Sequence, residues 1–199
     1  QGNPEQIIEL AQLILRQPCL NPMNRLRVQL ARIEALRLTG QIHRAGIATS
    51  WLLALAEDSG EAKLYADCLI EAAHLRMEEG QQEVAQDYLE RARRIFTNIG
   101  SPSGCAKVLT LLGQALIQHG EYQNAAATLQ RALYTHQENT NRMGQADVIL
   151  QMAVLATREK RYAQTHAYLD QAEELYELAN HRQGKMAALF ARGELYYEE

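Results

Sequence analysis

From Leu109 to Leu133, apolar residues fall at 109, 112 and 116 and again at 125, 129, 132 and 133, helical spacing twice over. Gly120 stands between the two runs, where a helix C-terminus needs a residue that tolerates positive φ. The segment predicts two helices joined by a tight turn, and the rest of the chain repeats it. Gly40, Gly80 and Gly120 are 40 residues apart, with Lys160 next in the series. Ala45, Ala85 and Ala125 keep that phase, followed by Thr165. So do Leu89, Leu129 and Leu169, and Ala92, Ala132 and Ala172. Upstream of the glycine, Leu69, Leu109, Ile149 and Leu189 align, as do Ala73, Gly113, Ala153 and Gly193. Chance could give one such column; six columns in register are a tandem repeat.

Each unit reads as a helix pair. Small residues such as Gly113, Gly193 and Ala132 let two helices approach closely, while Leu109, Leu112 and Leu129 fill the space between them. One pair cannot bury this apolar face alone, but stacked neighbours can. An opening helix is expected over 4–17, with Asn3 as N-cap, Pro4 in the first turn and Gln6 completing a capping box. Pairs follow at 25–38 with 42–57, 61–79 with 82–97, 102–118 with 122–137, and 141–158 with 162–179. A last helix covers 182–197. Ser101-Pro102 marks a helix start. Leu36-Arg37 matches Leu75-Arg76 at a spacing of 39, which predicts a first pair one residue out of phase. The expected architecture is an all-α solenoid of antiparallel helix pairs: one domain over 1–199, about four pairs with flanking helices. The opening helix reads as the second half of an earlier pair and the final one as the first half of a later pair.

Composition agrees. The four prolines sit at 4, 18, 22 and 102, leaving long tracts free of the residue that breaks helix interiors. Good helix formers dominate and aromatics are 6%. The longest apolar run, Trp51 to Ala56, is far shorter than the ~20 residues of a membrane-spanning helix. No basic-then-apolar leader opens the chain, which also lacks an initiator Met, so a fragment of a longer protein is expected. Cys19, Cys68 and Cys105 are odd in number and far apart, which points to a reducing, cytoplasmic setting and to cysteines serving as small buried apolar residues.

The segment 109–133 resembles the tetratricopeptide repeat (TPR) through Leu112-Gly113, Gly120, Tyr122, Ala125 and Ala132, with leucines replacing the family's aromatics and Gln137 its proline. The following unit keeps Ala153, Tyr162, Leu169 and Ala172; the preceding one keeps Ala73, Gly80, Ala85 and Ala92. The period of 40 exceeds the family's usual 34, which implies longer helices and longer loops between units, as at 98–101 and 138–141. Such units are similar to those of MalT-like, LuxR-type regulator sensor domains, of Rap and PlcR-like regulators, and of the Pins/LGN adaptors. The stretch from Leu30 to Phe96 looks most like the MalT-like group.

Few residues form a catalytic pattern. The chain has no phosphate loop, HExxH or CxxC, and none of its six histidines pairs with another at metal-ligand spacing. Adjacent acids such as Glu78-Glu79 and Glu173-Glu174 diverge on a helix and read as solvated surface. With a net charge of −4, and Arg91, Arg93 and Arg94 as the one tight basic cluster, direct nucleic-acid binding is not expected. No enzyme activity, metal or cofactor is expected either.

The resemblance implies that the first helix of each pair lines a concave groove. Counting in phase gives three rows: Asp67, Ile70, Glu71, His74 and Met77; Lys107, Thr110, Leu111, Gln114 and Ile117; Asp147, Leu150, Gln151, Val154 and Arg158. The mixture of apolar and amide side chains suits a peptide or partner helix. The competing reading packs the apolar members on neighbouring helices. His74, Gln114 and Val154 occupy the asparagine positions of the family's carboxylate clamp, which argues against acidic C-terminal tails. The expected function is a non-catalytic module that binds a protein or peptide. The alternative is an effector-sensing domain of a MalT-like transcription regulator, with a small effector as ligand. Self-association through the end helices, especially 182–197 with Phe190, Tyr196 and Tyr197, is a further expectation.

Overall fold

The computed structural model describes residues 3–198. Among them run ten helices: α1 (Pro4–Leu15), α2 (Pro22–Leu38), α3 (Ile42–Asp58), α4 (Ala62–Glu78), α5 (Gln82–Asn98), α6 (Pro102–His119), α7 (Tyr122–Glu138), α8 (Arg142–Arg158), α9 (Tyr162–Leu178) and α10 (Arg182–Glu198). They divide into two compact units, one through residue 99 and the other from residue 100. In the first, consecutive helices pack on one another and α2 also touches α4. In the second, α6 pairs with α7 and α8 with α9, and the alternate helices α6, α8 and α10 touch in succession.

The period of 40 is twice a period of 20. The backbone takes positive φ at Gly40, Gly60, Gly80, Gly100 and Gly120 and continues at Thr140, Lys160 and Asn180. At all of these but Gly60 and Gly100 the turn closes the preceding helix in the same way. At the first, the Gln41 amide donates to the Leu36 carbonyl at 2.9 Å; at the fifth, the Glu121 amide donates to that of Leu116 at 2.9 Å. This six-to-one bond is the Schellman arrangement, and it calls for a left-handed residue. From α2 onward each turn has three residues, except two between α6 and α7, and the longer loops expected at 98–101 and 138–141 are not found. The six residues beyond the usual repeat lengthen the helices instead. The expected phase slip is also absent, because α2 and α4 begin and end 40 residues apart. The slip was inferred from side-chain identity, whereas the turn at Gly40 sets the phase.

Helix starts follow local chemistry. The Asn3 side chain accepts from the Glu5 amide at 3.2 Å, with Pro4 at the first helical position. Asn21 does the same for Met23 at 2.8 Å, so α2 begins at Pro22 rather than 25. Later first helices share a further device. Ser101, Asn141 and His181 accept from the amides of Gly104, Gly144 and Gly184 at 3.3, 3.0 and 3.1 Å. A Cβ at Gly144 would collide with the His136 ring, and one at Gly184 with the Tyr176 ring.

Within pairs, a small residue on the first helix seats a leucine from the second. A Cβ on Gly113 would lie 2.6 Å from Leu129 Cγ. Leu129 has no exposed surface, which contributes about 1.5–3 kcal/mol of burial. Ala73 with Leu89 and Ala153 with Leu169 repeat these sizes, all buried. The α2/α3 pair inverts them, with Ile33 at the small position and Thr49 at the leucine position, both buried. Gly193 departs from the close contact expected of it: nothing lies within 4 Å of its Cβ direction. The cysteines differ as well. Cys68 is buried, with its thiol pushed up to about 12 chiefly by that burial, but Cys19 is exposed and Cys105 half-buried. Cys19 lies in the turn before α2, outside any apolar helix face.

Candidate functional site

The three rows meet different fates. In the first unit, Ile70 has no exposed surface, Met77 and Glu71 are buried, and Asp67 and His74 are half-buried. Arg37 of α2 reaches across to α4. Its Nε donates to Glu71 Oε2 at 3.2 Å and a terminal nitrogen donates to Glu78 Oε1 at 3.3 Å. The Arg37 and Glu71 side chains are 14% and 8% exposed, so water screens this pair weakly. These apolar members pack inward, and an ion pair spans the row.

In the second unit, Thr110 is buried and its hydroxyl donates to the Ala106 carbonyl at 3.0 Å; Ile117 is buried too. Asp147 is engaged as well, because Oδ1 accepts from the Tyr176 hydroxyl at 2.7 Å. Burial pushes the Asp147 carboxyl up, while that hydrogen bond and the charges of His181, His136 and Lys107 pull it back. Burial and the same carboxylate push the Tyr176 phenol up. Burial lowers His136, whose Nδ1 lies 3.2 Å from the Asn141 side-chain nitrogen.

The remaining members reach solvent. Leu111, Gln114, Leu150, Gln151 and Val154 are half-buried, and Lys107 and Arg158 are exposed. Leu150 leans on the cores between α8, α9 and α10. These side chains stand on α6 and α8, which touch each other, and α8 in turn touches α10.

α10 carries two further members of the row. Phe190 and Glu194 stand 40 residues after Leu150 and Val154, so the same columns could have found them. A small hollow beside Val154 and Arg158 is closed by Ala191 and Glu194. An open cleft beside it is lined by Arg158, Leu189, Phe190, Gly193, Glu194 and Tyr197. Phe190 is 70% exposed. α10 is held in place by Arg192, which donates to Glu173 at 2.6 Å and to Asp170 at 2.7 Å on α9. The cleft thus offers one carboxylate and two aromatic rings on the anchored α10, facing one cation, Arg158, on α8. That set can clasp an amphipathic chain. The basic cluster on α5 is engaged locally: Arg91 donates to the Tyr65 hydroxyl at 2.5 Å and Arg93 to Glu90 at 2.9 Å. Among the described residues, no helix is long and apolar enough to cross a membrane.

The family described as "Soluble NSF attachment protein, SNAP" matches residues 33–182. No curated protein matches the sequence. Among solved structures, Bacillus thuringiensis PlcR, in complex with the peptide PapR7 and DNA, is similar with a TM-score of 0.82 at 13% identity. That match covers 93% of this chain and 68% of PlcR. BtubC (BKLC) from P. vanneervenii is similar with a TM-score of 0.67 at 15% identity, over 99% of this chain and 92% of that one. A signal transduction ATPase with numerous domains from Pyrococcus horikoshii, with a tetratricopeptide repeat sensor, gives 0.69 at 16% identity, over 93% of this chain and 31% of that one. These likenesses show the all-α helical-repeat solenoid class that the periodicity predicts.

Proposed function

The chain belongs to the SNAP family, and on that premise we propose that it is a non-catalytic interaction module whose second unit holds a peptide or a partner helix. The observation that carries this reading is the α8–α10 cleft lined by Arg158, Phe190, Glu194 and Tyr197, with the half-buried Val154 in the hollow beside Arg158 and Glu194. Gln114 and Gln151 add amides that both donate to and accept from a backbone. PlcR with its peptide, and the Rap protein complexed with competence and sporulation factor, support a peptide as ligand for this fold. A second reading, an effector sensor within a larger regulator, draws on the likeness to the Pyrococcus horikoshii protein's repeat sensor.

The test uses peptides selected from a random display library against the chain. Their affinity is expected to fall at least ~10-fold, about 1.4 kcal/mol, in the variant Leu111→Asp, Gln114→Ala, Leu150→Asp. Because Leu150 touches core, Val154→Asp is measured alongside, and both variants are checked for retained helical circular dichroism. Unchanged affinity in a folded Val154→Asp chain would overturn the groove assignment.

A further inference from the structure

One second helix departs from the others on its outer side. α3 packs on α2 and α4, and Ala45, Thr49, Leu52 and Ala56 close its inner face. The opposite face is open although helices precede and follow it in the chain. There Ile47 and Trp51, one turn apart, are 64% and 53% exposed, and Ser50 and Ala54 beside them are exposed too. The same positions on the other second helices hold small or polar residues: Asp87 and Arg91, Ala127 and Arg131, Ala167 and Gln171. The repeat therefore does not require large apolar side chains here. The stripe ends in opposite charges. Arg44 and Asp58 each stand seven residues from Trp51, about two turns away on the same side of the helix. Both are exposed. Arg44 donates to the Gln41 side chain, and among the described residues neither charge forms an ion pair. Their order opposes the helix dipole, which favours an acid in the first turn and a base in the last. The other second helices carry Val84 with Asn98, Asn124 with Glu138, and Gln164 with Leu178 at these places, so none of them has a charge of each sign. Neither the helix nor the repeat accounts for the two charges of α3.

A stripe that is apolar in the middle and oppositely charged at its ends is complementary to itself turned end for end. A two-fold axis near Trp51 sets the two tryptophans against each other and Ile47 against Ala54. It also brings Arg44 of one copy opposite Asp58 of the other, at both ends of the contact. The small Ser50 and Ala54 leave room for the indoles. We propose that the outer face of α3 is a homodimer interface, on which two copies of this chain pack their α3 helices antiparallel about that axis. Ends of a single sign would suit an anionic or a cationic surface; balanced ends suit a second copy. One helix pair buries less than the roughly 1,600 Å² of a standard interface, so the dimer forms reversibly.

The chain has one tryptophan, so its emission reports this face alone. Light scattering of the full chain from about 1 to about 300 µM is expected to show a reversible doubling of mass, with the emission shifting to the blue over the same range. Trp51→Gln, Arg44→Asp and Asp58→Arg, each checked for unchanged helical circular dichroism, are expected to weaken association at least ~10-fold. The double variant Arg44→Asp, Asp58→Arg is expected to recover it to within about threefold of the wild type, because the pairs form again with their signs exchanged. A chain that stays monomeric throughout would overturn the proposal, whether or not anionic phosphatidylserine vesicles shift its emission. So would association indifferent to Trp51→Gln, or a double variant that fails to recover. Association kept in Trp51→Gln but lost in Tyr197→Ser would place the contact on α10 instead.

Discussion

The two units place the same columns of the repeat in opposite circumstances. In the first, the α4 row is closed: Ile70 and Met77 are buried, and Arg37 bridges to Glu71 and Glu78. In the second, the row stays half-open and runs on to an exposed Phe190 and Tyr197. The turns change along the second unit, where Gly100 and Gly120 give way to Thr140, Lys160 and Asn180. A repeat thus sets where a residue stands, and the side chain placed there decides whether the position is structural or available. The first unit closes its row with packing and an ion pair, and the second leaves it half-open.

Substitutions can break this contrast. The largest effect is expected inside a pair. Leu129→Ala removes the knob seated on Gly113 and is expected to cost about 2–5 kcal/mol by denaturant unfolding. Thr49→Ala, at the corresponding place in the inverted α2/α3 pair, is expected to cost under about 1 kcal/mol, because its hydroxyl only bonds the Ala45 carbonyl of its own helix, at 2.8 Å. Equal costs would mean that the two pairs pack alike after all. Arg37→Ala is next, at about 1–3 kcal/mol, since it removes charge-assisted bonds to half-screened carboxylates. Peptide affinity should not change with it; a loss of affinity would place ligand contacts on the first unit.

Turn chemistry gives a smaller effect. Thr140→Gly relieves a β-branched residue at φ 50° and is expected to stabilise the chain by up to about 1 kcal/mol. Gly80→Ala, at φ 75°, is expected to destabilise by a similar amount. The last contrast is with pH. Burial lowers the folded pKa of His136 below its unfolded value, so the unfolded chain takes up that proton first. Its contribution is complete above the ordinary histidine pKa of about 6.5 and is lost as pH falls from there toward the folded value. Asp147 has the opposite sign: with its folded pKa raised, its contribution is complete below about 3.8 and is lost as pH rises through the folded value. Denaturant midpoints between pH 8 and 5 should fall for the wild type, and less steeply for His136→Gln.

Much of this was legible in the sequence. The helices, their pairing and the leucine seats followed from columns at a spacing of 40, because turn glycines and packing volumes are written one residue at a time. The turns at 140, 160 and 180 are less visible, since these three of the eight left-handed positions carry no glycine and the Schellman bonds that close them leave no residue signature. Gly104, Gly144 and Gly184 form a further column at the same spacing. The groove row was only partly legible. Nothing in sequence distinguishes Ile70, with no exposed surface, from the half-open Leu150, because exposure depends on what Arg37 and the neighbouring helices cover. Phe190, an aromatic of the end helix, is also the next member of the row, 40 residues after Leu150.

Hydrogen–deuterium exchange of the full chain, with and without a library-selected peptide, tests the central claim most directly. Slower exchange on binding is expected in α8 and α10, around residues 150–158 and 189–197, with α4 unchanged. Protection concentrated on α4, or absent from α8 and α10, would contradict it.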